Sequence, residues 1–208
     1  MPPTTITIDT DRGPVQALYH AVPGANAALI AVGGTIGGFE GPANALYPDL
    51  AAMLEARGIA TLRLDFRIHQ APNIVPEAVA DVRAGIAFME REGIRRIGLV
   101  GHSFGGAVVI DAGVEEPAVV TVVTLATQTA GAQRVDELAP RPILLVHGLD
   151  DTHLSPEASR ILHEWAREPK RLVLLKGATH SLRQVGDEVR RLLLDWCMET
   201  LPEPRPPE

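Results

Sequence analysis

The stretch Ile97–Ala112, which reads IGLVGHSFGGAVVIDA, decides the fold of this chain. A short apolar run, Ile97–Val100, leads into the glycine-rich segment Gly101–Gly106, and a second apolar run, Ala107–Ile110, follows. The first run predicts a buried strand and the second a helix, because the glycines mark an abrupt turn between them. At the apex stands Ser103, with a glycine two residues away on either side, which is the G-x-S-x-G pattern of a nucleophile elbow.

The two glycines of this pattern have a physical reason. A helix that starts almost against the preceding strand leaves no room for side chains at Gly101 and Gly105, so only hydrogen is tolerated there. The same turn forces Ser103 into a strained backbone conformation and pushes its hydroxyl out above the sheet. Free N–H groups at the start of the helix lie behind the serine and favour developing negative charge.

Bulk composition excludes several classes of protein. The chain has 208 residues, 46% of them hydrophobic, which suits a single domain over residues 1–200 with a Pro-rich tail over residues 201–208. The net charge of −7 and the lack of a long Lys/Arg cluster argue against a nucleic-acid partner. Cys197 is the only cysteine, so we expect no disulfide framework and no cysteine-based metal site. We also expect no cofactor.

No targeting or membrane segment is recognisable in the sequence. The N-terminus lacks a basic segment followed by an apolar one, and no apolar run approaches the roughly 18–20 residues of a membrane span. We therefore expect a cytoplasmic protein without a membrane partner.

The order of strands and helices predicts an α/β fold. Extended runs on both sides of the turn Asp11–Pro14 indicate an antiparallel N-terminal hairpin. Further along, apolar strands alternate with helices, and the continuous apolar run Ala27–Val32 suits a sheet buried on both faces. The pattern predicts a mostly parallel sheet with helices on both faces. The predicted strands are 5–8, 15–22, 27–32, 59–64, 97–100, 119–125, 143–146 and 171–175, and the predicted helices are 46–57, 76–92, the elbow helix, 156–165 and 185–198.

Four suggestive segments each follow a predicted strand: 33–38, 101–106, 150–151 and 177–180. Ligands of such sheets bind outside the carboxyl ends of the strands, so we expect these segments to meet at one site.

A serine hydroxyl is a poor nucleophile at neutral pH. It needs a base within hydrogen-bond reach and a third group that holds the base in the correct tautomer.

His180 is the candidate base, because it follows the last predicted strand in a short loop. Asp151 is the candidate acid that orients the base, and the adjacent Asp150 competes for that role. The alternative interpretation of Asp151 is a loop carboxylate near the start of a helix, where negative charge is favourable in any case. Six other histidines are present; His102 and His147 are expected to shape the loops beside them, His153 is a weaker candidate base, and the others are His20, His69 and His163.

The developing oxyanion of such a reaction needs two N–H donors. We expect one from the backbone of Phe104, directly after the serine, and the other from Thr35, with Ile36 as the neighbouring option. A phosphate cradle is excluded in this glycine-rich loop, because a G-x-G-x-x-G fingerprint would need glycine at position 35 or 36. Asp65 lies at another strand end and is interpreted as a loop anchor or ion-pair partner rather than a ribose-binding acid.

With these residues in view, the chain resembles the α/β-hydrolase superfamily, and its size is similar to that of small dienelactone-hydrolase-like and carboxylesterase-like members. The matching segments are 101–106, 147–151 and 177–180, in the order Ser, Asp, His. Many members carry a His-Gly pair where this chain has Gly33-Gly34, and many insert a helical cap where it has only residues 126–142. The resemblance implies an α/β-hydrolase fold without a cap domain, and an open site closed only by loops 37–42 and 68–75.

The residues and the resemblance together predict a serine hydrolase that cleaves a small-molecule carboxylic ester or thioester through an acyl-enzyme, with Ser103, His180 and Asp151 as its catalytic triad. The open site favours small or surface-presented esters, and a peptide, amide or lactone substrate is the alternative on the same fold. A hypothesis from a different class is a non-catalytic ligand-binding or regulatory protein. A nicotinamide-dependent oxidoreductase is a third possibility, but this chain lacks the glycine fingerprint that binds such a cofactor.

Overall fold

The computed structural model describes residues 2–69 and 74–203. Among these residues, eight strands form one sheet: β1 Thr4–Ile8, β2 Val15–His20, β3 Ala27–Val32, β4 Ala60–Asp65, β5 Arg96–His102, β6 Val119–Leu125, β7 Ile143–Gly148 and β8 Lys170–Leu175. Five α-helices connect them: α1 Pro42–Glu55, α2 Val75–Arg91, α3 Phe104–Val114, α4 Glu157–Trp165 and α5 Gly186–Thr200.

The predicted fold class is confirmed by the sheet topology. The strand order is β1-β2-β4-β3-β5-β6-β7-β8. The N-terminal hairpin is antiparallel, β2 also runs antiparallel to β4, and all other neighbouring strands are parallel. The strands β3 to β8 therefore end at one edge of the sheet, where the loops that follow β3, β5, β7 and β8 come together.

Strand β3 shows why its sequence is apolar without interruption. All six of its residues are buried. Ala28, Ile30 and Val32 belong to one hydrophobic core and Leu29 to a second core on the opposite face, because successive side chains of a strand point to opposite sides. Helices α2, α3 and α4 cover the first face, and α1 and α5 cover the second.

The predicted and observed bounds of the elements agree to within two residues except at the start of α1. The element α1 is bounded at Pro42, but Ala43, Asn44 and Ala45 have positive φ values of 55°, 56° and 66° and form a left-handed turn, so the regular right-handed helix starts near the predicted residue 46. Leu201, the first residue of the predicted tail, is fully buried in the core beneath α5, so the fold extends at least to this position. Burial of an apolar side chain outweighs the local Pro-rich composition there. The division into a domain and a tail otherwise stays a prediction.

Two predicted segments extend beyond the described residues. Residues 70–73 of the predicted loop 68–75 and residues 204–208 of the predicted tail lie outside the described residues.

The connection from β6 to β7 contains one short 3₁₀ helix, Val135–Leu138, and no cap domain. No helix within residues 2–69 and 74–203 combines the length and the apolar character that crossing a bilayer requires.

Candidate active site

The elbow between β5 and α3 has the strained geometry that its glycines predict. Ser103 has φ 56° and ψ −120°, a conformation that a non-glycine residue rarely adopts. A Cβ atom on Gly101 would lie 2.1 Å from the carbonyl oxygen of Gly105, and a Cβ on Gly105 would lie 2.1 Å from that of Gly33. Both contacts are with backbone, which cannot move aside. The physical reason given for the two glycines is confirmed.

The structure brings Ser103, His180 and Asp151 into one hydrogen-bonded series. The Oγ of Ser103 lies 3.0 Å from Nε2 of His180, and Nδ1 of His180 lies 2.8 Å from Oδ2 of Asp151. An ionised carboxylate only accepts hydrogen bonds, so the proton of the neutral imidazole sits on Nδ1. Nε2 then accepts the hydrogen bond that the serine hydroxyl donates.

Asp151 is held by its backbone surroundings in the loop after β7. Its side chain is fully buried, and its Oδ1 accepts hydrogen bonds from the N–H groups of His153 at 2.8 Å and Leu154 at 2.9 Å. Burial by itself raises the pKa of Asp151, but these bonds and the one from His180 reverse the effect, so the net shift is downward. The carboxyl of the competing residue, Asp150, is exposed, and the described contacts place only Asp151 against the imidazole.

The glycine-rich loop after β3 lies directly against the serine. A Cβ atom on Gly34 would approach the Cβ of Ser103 to 3.4 Å and its Oγ to 3.8 Å. A tight turn closes the loop, since the N–H of Gly37 donates to the carbonyl of Gly34 at 2.9 Å. Thr35 and Ile36 form the tip of this turn and line the same pocket as the serine hydroxyl.

Asp65, at the end of β4, anchors this loop. Its Oδ1 accepts a hydrogen bond from the backbone N–H of Gly38 at 2.7 Å and lies 3.0 Å from Nε2 of His69. The interpretation of Asp65 as a loop anchor is confirmed. The following Arg67 is ion-paired with the buried Asp81 and with Glu77, so it fastens the β4 end to α2.

The residues predicted to supply oxyanion donors lie next to Ser103 in the chain or line the same pocket. Phe104 is the first residue of α3, so its N–H is among those that have no partner within the helix. Thr35 and Ile36 are exposed at the opposite rim of the pocket. The structure thus brings both sides of the predicted oxyanion site together, while the choice between Thr35 and Ile36 stays a prediction.

Two histidines that were expected to shape loops do so. His102 donates from Nε2 to the backbone carbonyl of His180 at 2.9 Å, and burial lowers the pKa of His102 to about 4. His147 is completely buried and contacts Asp151, with 3.2 Å between Nε2 and Oδ2. The exposed ring of His153 lies beside that of His180, with 4.7 Å between the centroids.

The pocket in front of the serine has a volume of about 750 Å³ and extends beyond the predicted residues. Its far wall is the segment 39–45, including the left-handed turn at the start of α1. This turn is held in place because the N–H of Ala43 donates to the carbonyl of Ser181 at 2.7 Å. Residues 39–42 of this wall belong to the loop 37–42 that was expected to close the site, whereas the turn at 43–45 was not predicted and had no local signal beyond the Gly41-Pro42 pair before it. Arg183, also unpredicted, lines the pocket on the other side.

No cluster of three or more His, Cys, Asp or Glu side chains suited to a metal ion is found within residues 2–69 and 74–203. The polar groups of the pocket are instead the hydroxyl, imidazole and carboxylate series and the backbone of the glycine-rich loop. A hydroxyl beside an imidazole that a carboxylate orients is the set of groups that activation of a serine nucleophile requires.

The parallel sheet, the strained serine between β5 and α3 and the short β6–β7 connection define the α/β-hydrolase fold in its form without a cap domain. Solved structures agree over nearly the whole chain. Dienelactone hydrolase from Anabaena variabilis is 19% identical, with a TM-score of 0.78 over 97% of this chain and 100% of that one. The esterase domain of a Rhodothermus marinus protein is 22% identical, with a TM-score of 0.75 over 95% of this chain and 99% of that one.

Comparison with curated sequences gives a match over only part of the chain. No family model matches the sequence. The uncharacterized protein YfhR of Escherichia coli (strain K12) is 28% identical in an alignment 134 residues long, and the match covers 51% of this chain and 47% of YfhR. The chain thus spans about half the length of the curated relative it matches.

Proposed function

We propose that this protein is a serine hydrolase that cleaves a carboxylic ester or thioester through an acyl-enzyme. The single observation that carries the proposal is the hydrogen-bonded series from Ser103 through His180 to Asp151, with distances of 3.0 Å and 2.8 Å, at the floor of an open pocket. These are the contacts that an activated serine nucleophile needs, with base and orienting acid already within reach.

In the proposed first step, Ser103 Oγ attacks the carbonyl carbon of the substrate while His180 Nε2 takes up the hydroxyl proton. The imidazolium that forms is stabilised by Asp151, whose lowered pKa keeps the carboxylate ionised at neutral pH. His180 then gives the proton to the leaving alcohol or thiol as the carbon–oxygen or carbon–sulfur bond breaks.

The negative charge on the tetrahedral intermediate is assigned to the backbone N–H groups of Phe104 and Thr35. The first belongs to the start of α3, where unpaired N–H groups and the helix dipole favour an anion. The second belongs to a loop that Asp65 fastens through Gly38, so the donor is positioned before substrate arrives. A water molecule, deprotonated by His180, would then attack the acyl-enzyme and release the acid.

The relatives support the reaction class through their fold. The Rhodothermus marinus domain is an esterase and the Anabaena variabilis protein is a dienelactone hydrolase, so these fold neighbours support a hydrolase, with an ester or a lactone as the bond cleaved. The pocket of this chain has no cap over it, which favours small or surface-presented esters rather than long acyl chains.

Covalent labelling tests the proposal directly. A fluorophosphonate probe is expected to add to Ser103 of the parent protein and of Ser155→Ala, a matched control because Ser155 is exposed at the start of α4. Ser103→Ala is expected to lose the label and the hydrolysis of p-nitrophenyl acetate while keeping its fold. Equal hydrolysis by Ser103→Ala and the parent would overturn the proposal. An unlabelled, inactive parent would favour a non-catalytic binding protein.

A further inference from the structure

We propose that His147 and Ser159 are positioning residues that extend the Ser103–His180–Asp151 series by two members into the core. This inference deepens the proposed function and rests on it. Ser159 lies on α4, outside every segment that the sequence singles out, and His147 is the residue of β7 just before its final glycine.

The two added side chains form an unbroken line with the site. Ser159 Oγ lies 2.7 Å from His147 Nδ1, and His147 Nε2 lies 3.2 Å from Asp151 Oδ2 and 3.0 Å from the carbonyl oxygen of Leu154. His147 and Ser159 have no exposed surface. These hydrogen bonds give each side-chain nitrogen and oxygen of the pair a partner inside the protein, as buried polar atoms require.

The partners determine where the protons sit. The carbonyl of Leu154 can only accept, so Nε2 of His147 must carry a proton. Burial lowers the pKa of His147, which keeps the ring neutral at neutral pH and leaves Nδ1 as an acceptor. The hydroxyl of Ser159 consequently donates to Nδ1. All hydrogen bonds of the series point towards Asp151, from Ser159 through His147 on one side and from Ser103 through His180 on the other.

This arrangement fixes the plane of the carboxylate. Oδ1 of Asp151 accepts from the N–H groups of His153 and Leu154, and rotation about the Cβ–Cγ bond would carry Oδ1 away from both donors. The Nε2–H of His147, which faces both Oδ2 and the carbonyl of Leu154, adds a contact on the second oxygen and holds Oδ2 in line with His180. Helix α4 thereby becomes part of the support of the proposed base, since Ser159 sets the orientation of the His147 ring.

Three variants test this role. His147→Leu/Ser159→Ala removes both partners together and so leaves no unpaired hydroxyl between them. His147→Gln places an amide N–H near the former Nε2 and is the conservative rescue. Ser159→Ala alone removes one oxygen and disturbs packing least. Ser155→Ala is the control: Ser155 is exposed two residues before α4, and its hydroxyl accepts a hydrogen bond from the N–H of Glu157 at 3.3 Å, so this variant weakens the helix start without touching the buried series. Circular dichroism and thermal unfolding establish that each variant is folded.

Two readouts separate positioning from general support of the fold. The first is steady-state hydrolysis of p-nitrophenyl acetate: we expect the double variant to lower kcat by about tenfold or more, with KM within about twofold. His147→Gln should recover most of that loss, and Ser159→Ala should lose severalfold. The second is the downfield ¹H NMR resonance of the His180 Nδ1 proton in the resting protein, which should move upfield and broaden in the double variant as Oδ2 turns away.

The proposal is overturned by a folded double variant that keeps the parent kcat and the parent resonance, or whose resonance moves further downfield. Should the double variant not fold, Ser159→Ala decides by the same two measurements, and parent-like values for both overturn the proposal. The resonance needs no substrate. A parent protein without hydrolytic activity would therefore overturn the proposed function. The resonance would still show whether His147 and Ser159 orient Asp151.

Discussion

The ring of His102 donates its Nε2 proton to the backbone carbonyl of His180 across 2.9 Å. This bond joins the residue before the proposed nucleophile to the loop that carries the proposed base. A carbonyl only accepts, so the Nε2 proton is present whenever the bond is made. Because burial lowers the pKa of His102 from 6.5 to about 4, the neutral ring makes this bond throughout the neutral range.

We predict that this protein loses stability in acid through His102. Between pH 6.5 and about 4 the unfolded chain binds a proton at His102 that the folded chain does not, so the free energy of unfolding falls as the pH falls through this window. From pH 7 to pH 4.5 the loss from this residue is about 2 kcal/mol. Urea unfolding at the two pH values measures it.

His102→Gln provides the comparison, since glutamine does not titrate. Burial also lowers the pKa of His20 and His147, so the variant should show a smaller acid loss rather than none. A difference between pH 7 and pH 4.5 as large in His102→Gln as in the parent would contradict the assignment.

Asp151→Asn is predicted to lower kcat about 10⁴-fold while leaving the protein folded. The N–H groups of His153 and Leu154 hold the amide oxygen at the Oδ1 position, so the NH₂ group replaces Oδ2 and faces the imidazole. His180 must then accept at Nδ1 and carry its proton on Nε2, where it can no longer receive the proton of Ser103. Hydrolysis of p-nitrophenyl acetate measures the effect.

The neighbouring Asp150→Asn is the matched control for this change. The Asp150 side chain is exposed, and its backbone N–H donates to the carbonyl of Ala178 at 3.0 Å, a bond that the substitution does not touch. We expect kcat within about twofold of the parent, as for most exposed substitutions. Comparable losses in the two variants would mean that position 151 has no special relation to the imidazole.

Gly105→Ala is predicted to destabilise the fold by about 4 kcal/mol or more, or to prevent folding. The added Cβ would lie 2.1 Å from the carbonyl oxygen of Gly33, so either α3 or the strand end must move. Gly113→Ala, in the same helix, is the control, because its nearest neighbours are side-chain methyl groups at 3.2 to 3.5 Å. There the gain in helix propensity, about 1 kcal/mol, offsets mild crowding. Similar denaturation midpoints for the two variants would refute this account.

Asp65→Ala is predicted to lower kcat by about tenfold or more, with little change in KM. Without its carboxylate, the N–H of Gly38 loses its acceptor, and the glycine-rich loop loses the anchor that would position the proposed second oxyanion donor. Asp65→Asn keeps an oxygen that accepts this bond, so it should retain most of the activity. Steady-state kinetics of both variants check the prediction, and full activity in Asp65→Ala would remove Asp65 from the support of the site.

The site could be predicted from sequence wherever the signal is local. The glycines around Ser103 report a backbone conflict within one strand–helix turn, and the apolar runs report which strands are buried. The order of the predicted strands along the chain then places Asp151 and His180 after the last two strands of the sheet. The choice of Asp151 over Asp150 also had a local basis in its spacing from His147-Gly148, and the structure brings Asp151 to the imidazole.

Other parts of the site left no usable trace in the sequence. Ser159 is an ordinary serine within a helix, and nothing near it indicates that its hydroxyl meets a buried histidine from β7. The left-handed turn at residues 43–45 precedes the predicted helix start at residue 46 and has no local signal, because it is held by a contact with the distant Ser181.

The sequence by itself determined the alternation of strands and helices, the strained serine and the order of the candidate residues, because these depend on side-chain periodicity and on clashes between residues close in the chain. Only the tertiary structure decided which groups touch. Contacts such as His147 with Ser159, or Asp65 with the loop after β3, arise when packing of the two cores brings separate loops to one edge of the sheet, and no local pattern encodes those distances.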